Sequence, residues 1–193
     1  MYGPRLEGAR VTLAPPRLEY AEDYVQWFGD PAVTRYLERR TPLSRAQEED
    51  YLRHKADDGT TVLWAILAGE RHIGSALIHE IDWRSRTGAT SIVLGEREVW
   101  GEGYATEAIG LRSAYAFEEL GLETLTTEVF APNAGSRRAL EEAGYRQAGV
   151  LRRHVYLEGA FHDVWLGELL RGEGQAATDA RCKTSEFLSQ KDT

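Results

Sequence analysis

The segment at positions 97–108, which reads REVWGEGYATEA, has the residue types and spacing most suggestive of ligand chemistry. It places Gly101 and Gly103 between a predicted strand and a predicted long helix. Glycines at such a junction let backbone N–H groups approach a ligand closely, and the amino end of a helix adds partial positive charge. The segment therefore predicts an anion-binding loop suited to a pyrophosphate group.

Other nucleotide-binding loops fit this segment less well. A Walker loop requires a Gly-Lys-Ser/Thr sequence, which does not follow here. A dinucleotide fingerprint requires glycine or alanine where Thr106 stands and an acidic residue closing the next strand, whereas Glu123 opens that strand. A plain tight turn stays open as an alternative, because a lone G-x-G pair is a weak signal. The order of strand, loop and long helix, with a second motif downstream, favours the ligand site.

Two further segments place polar residues at fixed spacing. Asn133 to Ser136 (NAGS) opens a predicted helix that continues as LEEAGY at 140–145, and GAFHDV at 159–164 lies in the last predicted pair of strands. Asn133 would also cap its helix, so it has a structural as well as a ligand-binding interpretation.

In this order and spacing, the three segments resemble the Gcn5-related N-acetyltransferase (GNAT) family, most closely its RimJ and RimL ribosomal-protein acetyltransferases and its spermidine acetyltransferases. The resemblance covers about positions 9–170. It implies an α/β fold whose mixed, mainly antiparallel central sheet has about seven strands flanked by helices. It also implies an enzyme that moves an acetyl group from acetyl-CoA to a primary amine by direct attack in a ternary complex. A non-catalytic acyl-CoA-binding sensor or structural module is the alternative.

The resemblance implies acetyl-CoA contacts from a strand end, from the glycine loop and from the helix that Asn133 opens. Backbone groups of the strand would serve the pantetheine amides, and the N–H of Val93 or Leu94 is the candidate oxyanion donor. The predicted contacts are Ile92, Val93, Leu94, Arg97, Trp100, Gly101, Glu102, Gly103, Tyr104, Ala105, Thr106, Asn133, Ser136 and Arg137. No metal is expected.

Glu98 departs from the family pattern, which has glutamine or arginine three places before the first loop glycine. A carboxylate facing a pyrophosphate would repel it, so we expect Glu98 to point away and to contribute only its backbone N–H. Arg97 or Arg137 is expected to supply the cation.

The transfer reaction requires a base and an oxyanion donor. An alkyl ammonium has a pKa near 10 and must lose a proton before it attacks, and the tetrahedral intermediate needs a hydrogen-bond donor. The departing thiol, with a pKa of about 8.5, needs little help from an acid.

Glu128 is the candidate base, because it lies in mid-strand, where glutamate has poor propensity, five residues before Asn133. The alanine-acetylating RimI enzymes resemble this chain there and carry their base at that place. A glutamate on a solvated sheet face is the alternative.

A proton donor is less well indicated than the base. RimL-like enzymes resemble this chain in a serine at the position of Ser136, which would hydrogen-bond the sulfur. Many relatives use a tyrosine as the proton donor, and Leu140 stands at its position here. RimL-like enzymes also carry a glutamate on the following strand, and Val155 stands at that position here. His154 and Glu158 are alternative groups that could act through water.

The acceptor site is expected between the early helices and the turn at 81–88. Aromatic walls with a carboxylate suit an ammonium group, and the candidate residues are Trp27, Tyr36, Asp82 and Trp83. Trp27 and Tyr36 have a core-packing interpretation as well. The sequence does not separate a protein N-terminus, a polyamine and an amino-containing small molecule, although the acidic run at 48–50 could attract a polyamine.

Composition narrows the class of protein. The chain has 193 residues and a net charge of −8, which argues against nucleic acid as a partner. Its densest apolar run, Val62–Ala68, is too short to span a membrane, and the charged first ten residues do not form a signal peptide. One cysteine, Cys182, excludes a disulfide framework or cysteine zinc site. We expect a cytoplasmic monomer or homodimer.

Hydrophobic periodicity predicts the elements that position these motifs. The predicted strands are at 10–15, 61–67, 72–81, 87–94, 122–130, 145–155 and 160–170. The predicted helices are at 19–28, 44–59, 103–120 and 133–143, and a further short helix follows the first and ends at 36. Positions 1–170 are expected to form one acyltransferase domain and 171–193 a loose tail, with Tyr145 a packing residue.

Overall fold

The computed structural model describes residues 1–37 and 43–173. At the centre of these residues is a sheet of eight strands in the order β1-β2-β3-β4-β5-β6-β8-β7. The strands are β1 (Leu6–Glu7), β2 (Thr12–Ala14), β3 (Val62–Ala68), β4 (Arg71–Asp82), β5 (Thr87–Leu94), β6 (Thr124–Phe130), β7 (Arg146–Leu157) and β8 (Ala160–Leu170). The mixed, mainly antiparallel sheet is confirmed. It has one strand more than expected, because the two residues of β1 are too few to show an alternating pattern.

Helices cover both faces of the sheet. The helices of the described residues are α1 (Ala21–Gly29), α2 (Pro31–Thr34), α3 (Arg45–Asp57), α4 (Tyr104–Glu118) and α5 (Ala134–Glu142). Alternate residues of β3 show the two layers, because Trp64 packs in the core with Ile109 of α4, whereas Leu63 packs with Leu52 of α3 and Val33 of α2. Thus α1–α3 lie on one face and α4–α5 on the other.

Local signals set the helix ends. Ser44 caps α3 in a capping box with Gln47, whose side chain accepts from the Ser44 N–H. Glu48, the residue after Gln47, has a buried side chain. A capping box needs its second member three residues after the cap, because only that side chain reaches back to the free N–H.

The strands β5 and β6 are the parallel pair of this sheet, and they stay paired over only three residues. Thr87, Gly88 and Ala89 pair with Thr124, Leu125 and Thr126. Beyond that point the strands separate. We call the space between residues 90–94 of β5 and 127–130 of β6 the fork.

None of the described helices is long and apolar enough to cross a membrane. Within residues 1–37 and 43–173, no group of three or more His, Cys, Asp or Glu side chains is arranged to hold a metal ion. Cys182 and nearly all of the predicted tail lie outside the described residues.

Candidate active site

A cavity of about 420 Å³ opens at the end of β5. The elements that line it lie on both faces of the sheet: Val33 and Tyr36 come from the α2 side, whereas Thr106 and Ser136 come from α4 and α5. Val93 lies between them, at the fork. Two reactants could therefore meet in this cavity from opposite faces of the sheet.

The glycine loop forms one wall of the cavity. Gly101 and Gly103 line it with φ of 80° and 81°, a left-handed conformation that strains any residue with a Cβ. The 15-residue α4 begins directly after Gly103, and Ala105 and Thr106 of its first turn also line the cavity. The unpaired N–H groups and partial positive charge of a helix start favour an anion there.

Backbone groups of β5 face the open fork. The carbonyl of Thr90 accepts the hydroxyl of Thr127 and so points toward β6. Because successive residues of a strand point their backbone groups to opposite sides, Ile92 and Leu94 point toward the fork as well. Val93 points the other way, toward β4, where its carbonyl lies close to Gly74. Leu94, rather than Val93, can offer its N–H to a group in the fork.

Asn133 and Ser136 form the opposite wall, at the start of α5. The Asn133 side chain accepts the backbone N–H of Ser136 at 3.2 Å and caps the helix. Both residues also line the cavity, so capping and ligand contact are compatible. Leu140, at the position of the relatives' tyrosine, is buried in the core and offers no proton donor.

The comparisons with known proteins agree with this geometry. A family model described as "Acetyltransferase (GNAT) domain" matches residues 10–146. The uncharacterized N-acetyltransferase p20 of Bacillus licheniformis is 28% identical over 169 residues, which is 85% of this chain and 94% of p20. The crystal structure of a putative acetyltransferase from T. thermophilus is 30% identical, with a TM-score of 0.73 and coverage of 90% of this chain and 92% of that one. The spermidine N-acetyltransferase of Vibrio cholerae, solved with CoA and spermine, is 19% identical, with a TM-score of 0.79 and coverage of 86% and 98%.

The chain belongs to the GNAT acetyltransferase family. It is an acetyl-CoA-dependent N-acetyltransferase, and acetyl-CoA is its co-substrate.

In this GNAT acetyltransferase, the cations expected at the loop are engaged elsewhere. Arg97 lies 3.7 Å from the Asp30 carboxylate, and Arg137 pairs with Glu141 at 2.8 Å. Neither side chain lines the cavity. Glu98 points away as expected, because it pairs with Arg71 at 3.1 Å.

Two other predicted loop contacts, Glu102 and Tyr104, also lie outside the cavity lining. The carbonyl of Glu102 accepts from the Arg10 guanidinium at 2.7 Å, and the same guanidinium lies over the Tyr104 ring. The left-handed glycines turn the backbone, so alternate residues of the loop face away from the cavity.

Sequence reasoning missed one charged pair in the cavity, Arg138 and Glu142 of α5. The two side chains approach to 3.7 Å, and Glu142 also accepts the hydroxyl of Thr106 at 3.2 Å. Helical spacing from Gly135 through 138–139 to 142 was the signal that could have found them. The other unpredicted lining residues are Ala32, Val33, Leu37, Val99, Gly135 and Ala139.

Trp27, a predicted acceptor residue, does not line the cavity. Its side chain is buried against Tyr24, and its indole donates to the Glu96 carboxylate at 2.9 Å. The core-packing interpretation holds because the apolar face of α1 turns toward the sheet. Tyr36 does line the cavity, with the Arg35 guanidinium over its ring.

Asp82 and Trp83, the other two predicted acceptor residues outside the lining, also lie away from the cavity. Asp82 accepts the N–H groups of Arg84 and Ser85, and the Trp83 indole donates to the carbonyl of Gly59. They form the turn that joins β4 to β5, seven strand residues, or roughly 24 Å, from the cavity end. A hairpin turn closes the end of the strand pair opposite to the one that opens at the fork.

Glu128 lies on β6 two residues beyond the last pairing with β5. Its side chain is exposed, on the face opposite the buried Leu125 and Val129, which pack with α4 and α5. It therefore faces the α1–α3 side of the sheet. Among the described residues, no side chain forms a hydrogen bond or ion pair with its carboxylate, and it does not line the cavity itself.

Proposed function

We propose that the acetyl group passes through the fork, with acetyl-CoA bound on the α4–α5 face and the amine entering from the α2 face. The observation that carries this proposal is the cavity, whose lining joins Thr106 and Ser136 on one face to Val33 and Tyr36 on the other. A cavity on one face alone would suit binding but would leave no path for the second reactant.

The chemical step then follows from the groups around the fork. The thioester carbonyl accepts a hydrogen bond from the N–H of Leu94, which stabilises the oxyanion as the amine nitrogen attacks the carbonyl carbon. Glu128, directly or through a water, accepts the proton that the amine loses. The C–N bond forms and the C–S bond breaks. As the intermediate collapses, the thiolate leaves beside the Ser136 hydroxyl and takes the surplus proton of the newly bonded nitrogen, which gives CoA–SH and the neutral amide.

The acceptor we propose carries one primary amine, such as a protein N-terminus or an amino-containing small molecule, rather than a polyamine. A polyamine needs acidic partners for its second cation. The acidic run of α3 is already engaged: Glu49 pairs with Arg45 and Arg53, and Asp50 pairs with Arg53. These ion pairs leave little net negative charge on that surface.

The acceptor side of the cavity supports the same choice. Within the described residues its lining consists of Ala32, Val33, Tyr36 and Leu37. None of these side chains carries a negative charge, whereas Glu128 lies on the same face and suits the single attacking amine. The relative from Vibrio cholerae was solved with spermine, but its identity of 19% supports a shared fold, not a shared acceptor.

A thiol-release assay with a panel of amines tests the proposal. The panel holds peptides with free N-terminal alanine or serine, an amino sugar, a simple alkylamine and spermidine. We expect turnover with at least one monoamine and a lower kcat/KM for spermidine. Spermidine as the best substrate would overturn the monoamine assignment. CoA binding without turnover of any amine would favour the acyl-CoA sensor.

A further inference from the structure

Arg112 of α4 is the most deeply buried cation of the described residues, with 0% of its surface exposed. Its guanidinium donates to the carbonyl of Ser91 at 2.8 Å, to that of Leu77 at 3.4 Å and to the Tyr145 hydroxyl at 3.4 Å. No described carboxylate pairs with it, and its Nε–H has no partner. A buried charge held only by neutral acceptors is unfavourable for stability. The presence of arginine at this position is therefore not explained by a contribution to stability.

The contacts continue from Arg112 to the point where the strands separate. The Tyr145 hydroxyl lies 3.1 Å from the Thr90 hydroxyl, which donates to the carbonyl of Thr126 at 3.0 Å. Because Arg112 can only donate and the Thr90 proton goes to Thr126, the Tyr145 proton must point to Thr90. The chain of hydrogen bonds therefore runs in one direction, from the cation to the β6 backbone.

A second hydrogen bond joins the strands at the same place, but its donor is on β6 and its acceptor on β5. The Thr127 hydroxyl donates to the carbonyl of Thr90 at 3.0 Å. The last backbone pairing of β5 with β6 is Ala89 with Thr126. At the next residues, Thr90 and Thr127, the strands are joined by bonds from threonine hydroxyls to backbone carbonyls. Side chains rather than backbone groups thus fix the closed end of the fork.

We propose that Arg112, acting through Tyr145 and Thr90, is a positioning residue that sets how far β5 and β6 stand apart. The separation matters because the backbone groups of Ile92 and the N–H of Leu94 are open to a ligand only while β6 stays away from them; the Leu94 carbonyl already accepts the Trp100 indole N–H at 3.0 Å. Successive polarisation along a directed chain strengthens each bond. The Arg112 charge at its start holds the Thr90 hydroxyl on Thr126 and away from other orientations.

This inference rests on the proposed binding of acetyl-CoA in the fork. Tyr145→Phe is the informative variant, because it keeps the buried ring and removes only the hydroxyl that joins Arg112 to Thr90. Thr90→Val removes the next link with little change of shape. Ser113→Ala is the matched control, since Ser113 is a buried neighbour of Arg112 on α4 whose hydroxyl has no partner among the described residues.

Calorimetry with CoA at 15 °C, together with the melting temperature of each variant, provides the test. We expect Tyr145→Phe to weaken CoA binding about tenfold, with a matching fall in kcat/KM for acetyl-CoA and a smaller change in kcat. Ser113→Ala should bind CoA like the wild type. Because Tyr145 and Thr90 belong to one chain, the double variant should bind CoA about as weakly as the Tyr145→Phe single variant.

Two outcomes would overturn the positioning role. In one, Tyr145→Phe lowers the melting temperature but binds CoA within twofold of the wild type, which would make the chain purely structural. In the other, the effects of Tyr145→Phe and Thr90→Val multiply in the double variant, so that the two residues act independently. Gly101→Asp separates this inference from the proposed binding site: if that variant still binds CoA normally, the placement of acetyl-CoA is wrong.

Discussion

The hydroxyl of Thr106, in the first turn of α4, donates to the carboxylate of Glu142, in the last turn of α5, at 3.2 Å. Both residues line the cavity. The contact therefore sets a negative charge beside the helix start that is suited to a pyrophosphate, and it engages the Thr106 hydroxyl and the Arg138 guanidinium at the same time.

Replacing Glu142 with glutamine should tighten CoA binding. The change removes the repulsion between the carboxylate and the phosphates and releases Arg138 to act as a cation. Because the Glu142 side chain is about half exposed, water and salt weaken the effect, and we expect an improvement of about two- to fivefold in Kd at low salt. Calorimetry at two salt concentrations provides the measurement, and the gain should shrink at the higher one.

Glu141→Gln serves as the control for this prediction. Glu141 lies on the same helix with a similar exposure but pairs with Arg137 and does not line the cavity. Equal effects of the two variants would show that the overall charge of α5, rather than the position of Glu142, governs CoA affinity.

Gly101→Asp should abolish most of the CoA affinity. The substitution introduces a carboxylate at the loop and forces a side chain into a left-handed conformation, at φ of 80°. Gly69→Asp is the matched control, since Gly69 has φ of 61° in the β3–β4 turn and does not line the cavity. A folded Gly101→Asp protein that binds CoA as tightly as the Gly69→Asp protein would exclude the loop as the phosphate site.

Glu128→Gln should slow acetyl transfer by about 10²–10⁴-fold at neutral pH, the usual contribution of a general base. CoA affinity should hardly change, because the carboxylate lies on the face opposite α4 and α5. The deficit should shrink as the pH rises toward the pKa of the amine, since more of the acceptor is then already neutral. Initial rates from pH 6.5 to 9.5 provide the measurement.

The matched variant for Glu128 is Glu168→Gln. Glu168 pairs with Thr126 across β6 and β8, so it is a carboxylate on the same face of the sheet but behind the fork. Comparable losses in both variants would point to the charge of the whole face. Full activity of Glu128→Gln would shift the role of base to His154 or Glu158, and Glu158 at present pairs with Arg35 at 2.7 Å.

Stability should fall as the pH drops below neutrality because of His72. Burial lowers the pKa of His72, although the Asp23 carboxylate at 2.7 Å and the carbonyl of Gly74 oppose the effect. The unfolded chain then binds a proton more readily than the folded one near the ordinary histidine pKa of about 6.5. The native state is therefore fully stabilised above that pH and loses stability as the pH falls toward the lowered value.

Melting temperatures between pH 7.5 and 5 test this prediction. The decline should be shallower in His72→Gln than in the wild type. His79 contributes in the same direction, because burial lowers its pKa too. His154→Gln, a change at an exposed residue of β7, should keep the wild-type slope, and an unchanged slope in His72→Gln would contradict the assignment.

The sequence by itself determined the family, the order of the elements and the loop. These features depend on local signals: Gly101 and Gly103 are needed for their left-handed backbone, Asn133 caps its own helix, and the alternation in β6 sets Glu128 opposite Leu125. Each signal depends on residues that are close together in the sequence, so it can be recognised without knowledge of the tertiary structure.

Only the tertiary structure decided which side chains share the cavity. Trp83 and Tyr36 are both aromatic residues beside turns, yet one lies at the closed end of the β4–β5 pair and the other at the cavity. The sequence could not distinguish them, because the distance between two residues of different elements depends on strand direction and register. For the same reason the sequence gives no sign that Arg112 differs from any other arginine of a helix. Its contacts with Ser91 and Tyr145 follow from the packing of α4 against the sheet.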